Sequence, residues 1–386
     1  MSIEEFFCKM VDLEASDLYL TVAKPPMYRA QGKIEVGGGH AFTPDELVEI
    51  AQGIMNEKQR QEFAATMEMN MAMSLPGVSR FRVNIFQQRG SVGMVIRRIK
   101  ADVMSIEQMG LPSILGDIVM TKRGLVLVVG ATGSGKSTSL AAMIDYRNSN
   151  EAGHIITIED PIEFVHRHKT SIITQREVGF DTHSFQAALK NTLRQAPDVI
   201  LIGEIRDTET MEAAITFAET GHLCLGTLHS NNANQAIERI MNFFPPERHA
   251  QIYLQLSLNL RSIVSQRLIP SVDGKRVAAL EILMDTPRIK DLIRKGEVDT
   301  LKQAMEQGIQ EGCQTFDQAL FALYRDGIIN LDQALINADS ANNLRLKIKL
   351  AGLKIDQEPV PEPAASGDND RGEQLQAAVG FRLRKT

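Results

Sequence analysis

The chain has 386 residues, of which 43% are hydrophobic and 23% are charged, and its formal net charge is −6. Domains usually hold roughly 100 to 200 residues, so this length predicts two domains, and the composition excludes wholesale disorder. The negative charge excludes a general polyanion-binding surface, and no apolar run approaches the roughly 20 residues that span a bilayer, which excludes direct membrane insertion.

The three cysteines, Cys8, Cys224 and Cys313, lie far apart and form no CxxC pair. This spacing favours neither a zinc site nor a disulfide framework, and it indicates a reducing compartment. Acidic residues, Glu4 and Glu5, stand where a secretory signal peptide would be basic. We therefore expect a cytoplasmic protein that associates with a membrane only through a partner.

Residues 1–100 alternate between short helical and strand patterns, which predicts a small α+β domain. A helix is expected over Glu4–Leu13, with strands over Leu18–Val22 and Met27–Val36. A second helix is signalled by Thr43-Pro44-Asp45-Glu46, which supplies an N-cap, a proline at the first helical position and the glutamate of a capping box. Two later segments alternate with period two and predict strands with one buried face, formed by Met67, Met69, Met71 and Met73 and then by Phe81, Val83 and Ile85.

Farther along the chain, apolar strand runs alternate with helical segments. Leu125–Val129 and Val199–Ile202 are apolar at every position, which is typical of a parallel sheet covered by helices. Beyond about Pro287 only helical periods remain, and the final segment is rich in proline and acidic residues, which predicts disorder. After residues 1–100, the predicted units are a linker at 101–112, an α/β domain at 113–287, a helical region at 288–355 and a tail at 356–386.

A glycine-rich segment carries the strongest chemical signal. Its sequence, Gly130-Ala131-Thr132-Gly133-Ser134-Gly135-Lys136-Ser137-Thr138, satisfies GxxxxGK[ST] between an apolar strand and a helical segment. In this context the pattern is a P-loop, whose backbone N–H groups surround nucleotide phosphates. Lys136 is expected to reach the β- and γ-phosphates, and Ser137 to bind Mg²⁺. We predict ATP and Mg²⁺ as cofactors.

Hydrolysis additionally requires a carboxylate on the magnesium side and a base that positions water. Glu204 follows one apolar strand, and three carboxylates, Glu159, Asp160 and Glu163, follow another. The carboxyl ends of parallel strands meet at the edge of the sheet where ligands bind. These acids are therefore expected at the nucleotide site.

Histidines bracket a further strand pattern. His222 precedes Leu223–Leu228 and His229 follows it, so they could respond to the γ-phosphate, although a single histidine is more often structural. His166 and His168 alternate with basic residues, which is typical of an exposed polar segment rather than a metal site.

Four arginines lie on two predicted strands of the N-terminal region. Arg80 and Arg82 share one strand face, and Arg97 and Arg98 follow on a later strand. They form either an exposed basic face or a source of positive charge for a nucleotide held by another subunit, because an arginine supplied in trans can stabilise the transition state of phosphoryl transfer.

Four motifs together resemble those of the hexameric secretion ATPases, and specifically the type IV pilus retraction motors. They are the P-loop Gly130–Ser137, the acidic box Ile158–Glu163, the Walker B run Asp198–Glu204 and the histidine box Thr220–His229. The resemblance runs from the first residues to about residue 355. It implies a RecA-like P-loop ATPase core with an N-terminal PAS-like α+β domain and a C-terminal helical appendage, assembled as a homo-hexamer with ATP at the subunit interfaces.

The resemblance also implies roles for individual residues. By motif position, Glu163 would be the general base and Glu204 the Walker B acid near Mg²⁺. The histidines of the box would couple hydrolysis to movement, and two arginines of the N-terminal domain would reach nucleotide. The implied coupling and arginine residues are His222, His229, Arg82 and Arg97.

One departure from the family pattern refines this interpretation. Retraction motors of the PilT kind carry AIRNLIRE, of which Arg288–Lys295 keeps only part. With the acidic tail, this favours an accessory motor at the cytoplasmic face of the inner membrane, acting with a PilT-like retraction ATPase and a pilus platform protein.

Two other functions were weighed against retraction. Pilus extension and type II secretion ATPases usually have a longer N-terminal extension and a CxxC zinc module, and neither is found in this sequence. A RecA-like nucleic-acid translocase is disfavoured by the net charge and by the lack of a basic or aromatic stripe, so no nucleic-acid partner is expected.

Overall fold

A computed structural model describes residues 3–75, 78–99 and 102–353. Within these ranges the chain forms one six-stranded and one seven-stranded sheet. The predicted tail at 356–386 lies outside the described residues. None of the helices in the described ranges has the length and apolar character required to cross a membrane.

The six-stranded sheet is antiparallel and is formed by the N-terminal region. Its strand order is β3-β2-β1-β6-β5-β4. The strands are β1 (Asp17–Leu20), β2 (Met27–Ala30), β3 (Lys33–Val36), β4 (Glu68–Leu75), β5 (Ser79–Gln88) and β6 (Ser91–Ile99). The helices that accompany it are α1 (Ile3–Asp12), α2 (Pro44–Ile54) and α3 (Glu57–Thr66).

Most of the predicted N-terminal elements are present, and the capping box that begins α2 is formed by Thr43 and Glu46. The expected single strand at Met27–Val36 is wrong. Gln31 and Gly32 take φ values of 49° and 82°, which turns this segment into the hairpin β2–β3. Met67 is not part of the buried face, because it ends α3 in a left-handed conformation and is 62% exposed.

The seven-stranded sheet is formed by strands between Gly124 and Met284. Its strand order is β13-β12-β7-β11-β10-β8-β9. All neighbours are parallel except β12 and β13, so the expected parallel sheet is in fact mixed. The strands are β7 (Gly124–Val129), β8 (His154–Glu159), β9 (Ile172–Glu177), β10 (Val199–Ile202), β11 (Leu223–Leu228), β12 (Leu260–Pro270) and β13 (Arg276–Met284).

Helices cover both faces of this sheet and bury its apolar strands, which contribute to two separate hydrophobic clusters. β7, β10 and β11 are buried along their whole length, and burial on both faces explains why these strands are mostly apolar. The helices are α4 (Ile114–Val119), α5 (Lys136–Asn150), α6 (Phe185–Thr192), α7 (Thr208–Glu219), α8 (Ala233–Met241) and α9 (His249–Asn259).

The predicted helical region follows β13 and is present. The hydrophobic core of the helical region includes Ile269 and Ala279 of the sheet. The Arg267 guanidinium lies 3.8 Å from the centre of the Phe316 ring. The region is therefore joined to the antiparallel edge of the sheet by apolar and cation–π contacts. Its helices are α10 (Pro287–Lys295), α11 (Leu301–Gln307), α12 (Phe316–Arg325), α13 (Leu331–Ile336) and α14 (Ala341–Leu350).

Candidate active site

A cavity of about 470 Å³ lies at the carboxyl edge of the seven-stranded sheet. Its size suits a small-molecule ligand. Glu163, Glu204 and His229 line it together with a run of P-loop residues: Thr132, Gly133, Gly135, Lys136, Ser137 and Thr138. The other P-loop residues, Gly130, Ala131 and Ser134, line an adjoining cavity of about 260 Å³. The structure thus places the predicted P-loop beside the four predicted acids, since Glu159 and Asp160 also line the first cavity.

The P-loop leaves β7 and ends at Gly135, the N-cap of α5. Gly135 has φ of 87°, and a Cβ atom there would lie 2.8 Å from Nε2 of Gln266. A Cβ atom at Gly130 would lie 2.6 Å from the carbonyl oxygen of Gln266. Glycine is therefore required at Gly130 by close packing against the backbone of β12, and at Gly135 by the backbone conformation.

Lys136 lies inside the loop and is only 8% exposed. Its Nζ donates hydrogen bonds to the carbonyl oxygens of Gly130, at 2.8 Å, and Ala131, at 3.0 Å. Burial lowers the pKa of Lys136, whereas the charges of Glu204 and Glu163 raise it. The ammonium group is consequently held where it can meet anionic phosphate with little water around it.

The carboxylates at and just beyond the end of β8 have different environments. Glu159 is half-buried, and its desolvation raises its pKa; its Oε1 accepts hydrogen bonds from Thr157, at 2.6 Å, and Gln175, at 3.2 Å. Its carboxylate also accepts a hydrogen bond from the backbone N–H of Glu163. The Glu163 side chain is exposed and lines the cavity. Asp160 is likewise exposed and lines the cavity, so each of these two acids has the access to water that a general base requires.

Glu204 lies just beyond the end of β10. It lines the same cavity as the P-loop residues at the start of α5. Its Oε1 is 3.4 Å from Nε2 of His229. The preceding Gly203 passes close to β8, since a Cβ atom there would lie 3.1 Å from the Cα atom of Glu159. The Ser137 hydroxyl and the Glu204 carboxylate both line the cavity, and oxygen donors of these kinds fit Mg²⁺.

The two histidines of the predicted box lie at opposite ends of β11. His229 lines the cavity, whereas His222 precedes the strand at the amino edge of the sheet. Nδ1 of His222 lies 3.1 Å from the Thr220 hydroxyl and 3.2 Å from the carbonyl oxygen of Phe217. Only His229 is therefore brought to the nucleotide cavity.

The predicted arginines do not line this cavity in the part of the chain that the structure describes. Arg82 and Arg97 are paired across β5 and β6. Nε of Arg97 donates a 2.8 Å hydrogen bond to Asp17, and this contact raises the pKa of Arg97. Arg80 instead reaches Glu177 of β9.

Several cavity neighbours were not predicted from the sequence. Gln266 of β12 contacts the P-loop, and its Oε1 accepts a 2.7 Å hydrogen bond from Ser139 of α5. Gln175 binds the segment that carries Glu163, and Arg276 lines the cavity. None of the three belongs to a local motif, so only the pairing of strands distant in sequence identifies them.

Known proteins share both the sequence and the fold. The family described as type II/IV secretion system protein matches residues 54–331. The type IV pilus ATPase PilU of Pseudomonas aeruginosa is 56% identical over 351 residues, which cover 91% of this chain and 92% of that protein. The type IV pilus retraction ATPase PilT of the same organism is 43% identical, over 89% of this chain and 100% of that protein.

A solved structure of the pilus retraction motor PilT with bound ADP has a TM-score of 0.83 and 42% identity, covering 90% of this chain and 99% of that one. The similarity therefore includes the α/β architecture with its mixed sheet as well as the motifs. On this evidence the chain belongs to the type II/IV secretion system protein family.

Proposed function

We propose that this chain is a hexameric ATPase motor that couples ATP hydrolysis to type IV pilus retraction, and thereby to twitching motility, as an accessory motor of the PilU type. The observation that carries the proposal is a P-loop with two strand-end acids on one cavity, in a chain that matches PilU over nine-tenths of its length. Nucleotide binding follows from the family.

The proposed chemistry distributes binding and catalysis over the cavity. The P-loop, Gly130–Thr138, would hold the phosphates with its backbone N–H groups, and Lys136 would contribute positive charge to them. Ser137 and Glu204 would hold Mg²⁺, which supplies charge neutralisation at the phosphate oxygens. Glu163 would accept the proton of the attacking water, because it is an exposed carboxylate on the cavity wall and occupies the position of the base in the family motif.

The proposed assembly is a homo-hexameric ring. In it, the N-terminal sheet would be a PAS-like domain at residues 1–100 and the seven-stranded sheet a RecA-like domain at 113–287. Arg82 or Arg97 would approach nucleotide held by a neighbouring subunit. Neither arginine is among the residues that line the cavity of its own chain, which supports a role in trans.

The proposed partners are a PilT-like retraction ATPase and a pilus platform protein of the inner membrane, at whose cytoplasmic face the motor would work. Support for an accessory role comes from Arg288–Lys295, which begins at the second residue of α10 and keeps only part of the segment typical of PilT. His222 and His229 would transmit the state of the site along β11.

Pilus length and twitching in a strain that lacks this protein test the proposal. Loss of a retraction motor leaves more or longer surface pili with impaired twitching, whereas loss of an extension motor removes the pili. Bald cells would contradict retraction and favour the extension alternative. ATPase assays with and without DNA address the translocase alternative, and we expect no stimulation by DNA.

A further inference from the structure

A partly buried ion pair joins the N-terminal sheet to the edge strand of the nucleotide-binding sheet. Nη2 of Arg80, on β5, lies 3.5 Å from Oε2 of Glu177, the last residue of β9. The Glu177 side chain is 1% exposed and that of Arg80 is 25% exposed. This contact therefore lies between the two sheets, largely out of water.

Glu177 also contacts the segment that carries the proposed general base. Its carboxylate accepts a hydrogen bond from the backbone N–H of Ile162, the residue immediately before Glu163. One side chain of β9 is thus bound to an arginine of the N-terminal sheet and to the backbone next to Glu163. A change in the position of Arg80 would act on this backbone through a single residue.

A second side chain of β9 holds the same segment. Gln175 lies two residues before Glu177 and so shares its strand face. Its Nε2 donates a 2.9 Å hydrogen bond to the carbonyl oxygen of Phe164, and its Oε1 accepts a 2.8 Å hydrogen bond from the backbone N–H of His166. The backbone on both sides of Glu163 is therefore fixed by β9, while the Glu163 side chain remains exposed.

The electrostatics make Arg80 important for this arrangement. Burial raises the pKa of Glu177, and the charge of Arg80 opposes that effect, with a smaller contribution from Arg82. A buried carboxylate is costly unless it is paired, and its hydrogen bonds from N–H groups are strongest when it is ionised. Without Arg80, Glu177 would favour its neutral form and hold the Ile162 N–H less firmly.

We infer that Arg80 and Glu177 are positioning residues for ATP hydrolysis, which couple the placement of the N-terminal sheet to the placement of Glu163. This inference rests on the proposed ATPase function, and it assigns Arg80 a role within its own chain that differs from the trans role considered for Arg82 and Arg97. Neither residue contacts the reacting atoms; both act through the backbone at Ile162.

The kinetic test compares Arg80→Ala, Arg80→Lys and Glu177→Gln with the unmodified full chain. We expect kcat for ATP to fall about tenfold to hundredfold in the alanine and glutamine variants, because misplacing a catalytic group by about 1 Å can cost this much. KM should change less than about twofold, because the P-loop is untouched, and Arg80→Lys should recover part of kcat. The double variant should be no slower than the slower single variant.

Hydrogen exchange gives a second readout that does not require turnover. In Arg80→Ala, the backbone amides of residues 162–166 should exchange faster, while those of α5 stay unchanged. Lys58→Ala is the matched control: Lys58 is an exposed cation of the same N-terminal region, so its removal should alter neither exchange nor kcat.

The outcomes separate this inference from the proposed function. If the unmodified chain hydrolyses ATP and Arg80→Ala retains its kcat, the coupling role is wrong. Unchanged exchange at residues 162–166 in Arg80→Ala contradicts it whatever the turnover. If the unmodified chain does not hydrolyse ATP but the exchange changes as expected, the contact network stands and the ATPase proposal fails.

Discussion

Nε2 of His229 lies 3.4 Å from Oε1 of Glu204 at the carboxyl edge of the sheet. The contact joins His229, which follows β11 and would respond to nucleotide, to Glu204, the acid proposed to hold Mg²⁺. Both side chains are more than one-third exposed, so the pair itself contributes little to folding stability. Its significance is the orientation of Glu204 within the cavity.

Replacing His229 should therefore affect turnover more than folding. We expect His229→Ala to lower kcat about tenfold or more, because the orientation of Glu204 is lost, with the melting temperature nearly unchanged. His222→Ala is the comparison, since His222 lies at the other end of β11. The ATP affinity of His222→Ala should stay within about twofold of the affinity of the unmodified chain. Steady-state kinetics and fluorescent-nucleotide titration measure both effects. Unchanged kcat in His229→Ala, or a marked loss of ATP affinity in His222→Ala, would contradict the geometry.

Lys136→Ala should remove most nucleotide affinity. The substitution deletes a buried cation that would face the β- and γ-phosphates, and charge-assisted contacts in such a setting are strong. Titration with a fluorescent ATP analogue measures the loss, which we expect to exceed tenfold. Lys122→Ala is the control, because Lys122 is exposed and precedes β7. Comparable binding by the two variants would remove Lys136 from the phosphate site.

Mixed rings test whether the arginines act in trans. A subunit with Arg82→Ala and a subunit with Lys136→Ala are each expected to form rings of low activity. Rings that contain both should regain activity, because some interfaces then pair an intact P-loop with an intact arginine. Phosphate release from co-assembled subunits is the measurement. No gain over either parent, in rings shown to be mixed, would exclude a trans role for Arg82.

Acid should weaken the fold through His166. Burial lowers the pKa of His166 from 6.5 to about 4, and its Nδ1 is buried without a hydrogen-bond partner in the described part of the chain. Between pH 6.5 and about pH 4 the unfolded chain binds more protons at His166 than the folded chain does. The contribution of neutral His166 to folding stability is therefore complete above pH 6.5 and falls as the pH drops towards 4.

The measurement is the melting temperature of the full chain at pH 7 and pH 5. We expect His166→Gln to show a smaller decrease between these conditions than the unmodified chain, because the glutamine side chain does not titrate. His168→Gln provides a control at a neighbouring histidine that is exposed. An equal decrease in all three proteins would show that His166 is not a source of the acid sensitivity.

The P-loop and its acids could be predicted because each is a local pattern. Gly130–Ser137 needs only its own spacing and a flanking strand and helix, and Glu204 needs only the end of an apolar strand. The separation of His222 from His229 follows from the same pattern, since a strand between two residues places them at opposite edges of the sheet. Their membership of one motif therefore does not imply that they share a site.

Other features depend on contacts between distant segments. The antiparallel pairing of β12 with β13, the packing of Gln266 against the P-loop and the contact between Arg80 and Glu177 each join residues that no local period relates. The wrong prediction of a single strand over Met27–Val36 has a different origin. The hairpin at Gln31 and Gly32 interrupts a period-two pattern that continues on both sides, so the alternation alone concealed the turn.

The proposed motor depends on ATP hydrolysis with Glu163 as the general base. The most direct measurement is phosphate release by Glu163→Gln beside its ATP affinity. An amide cannot accept the proton of water, so we expect affinity within about threefold of the unmodified chain and turnover reduced at least about a hundredfold. Near-normal turnover by Glu163→Gln would contradict the account, because another group would then have to be the base.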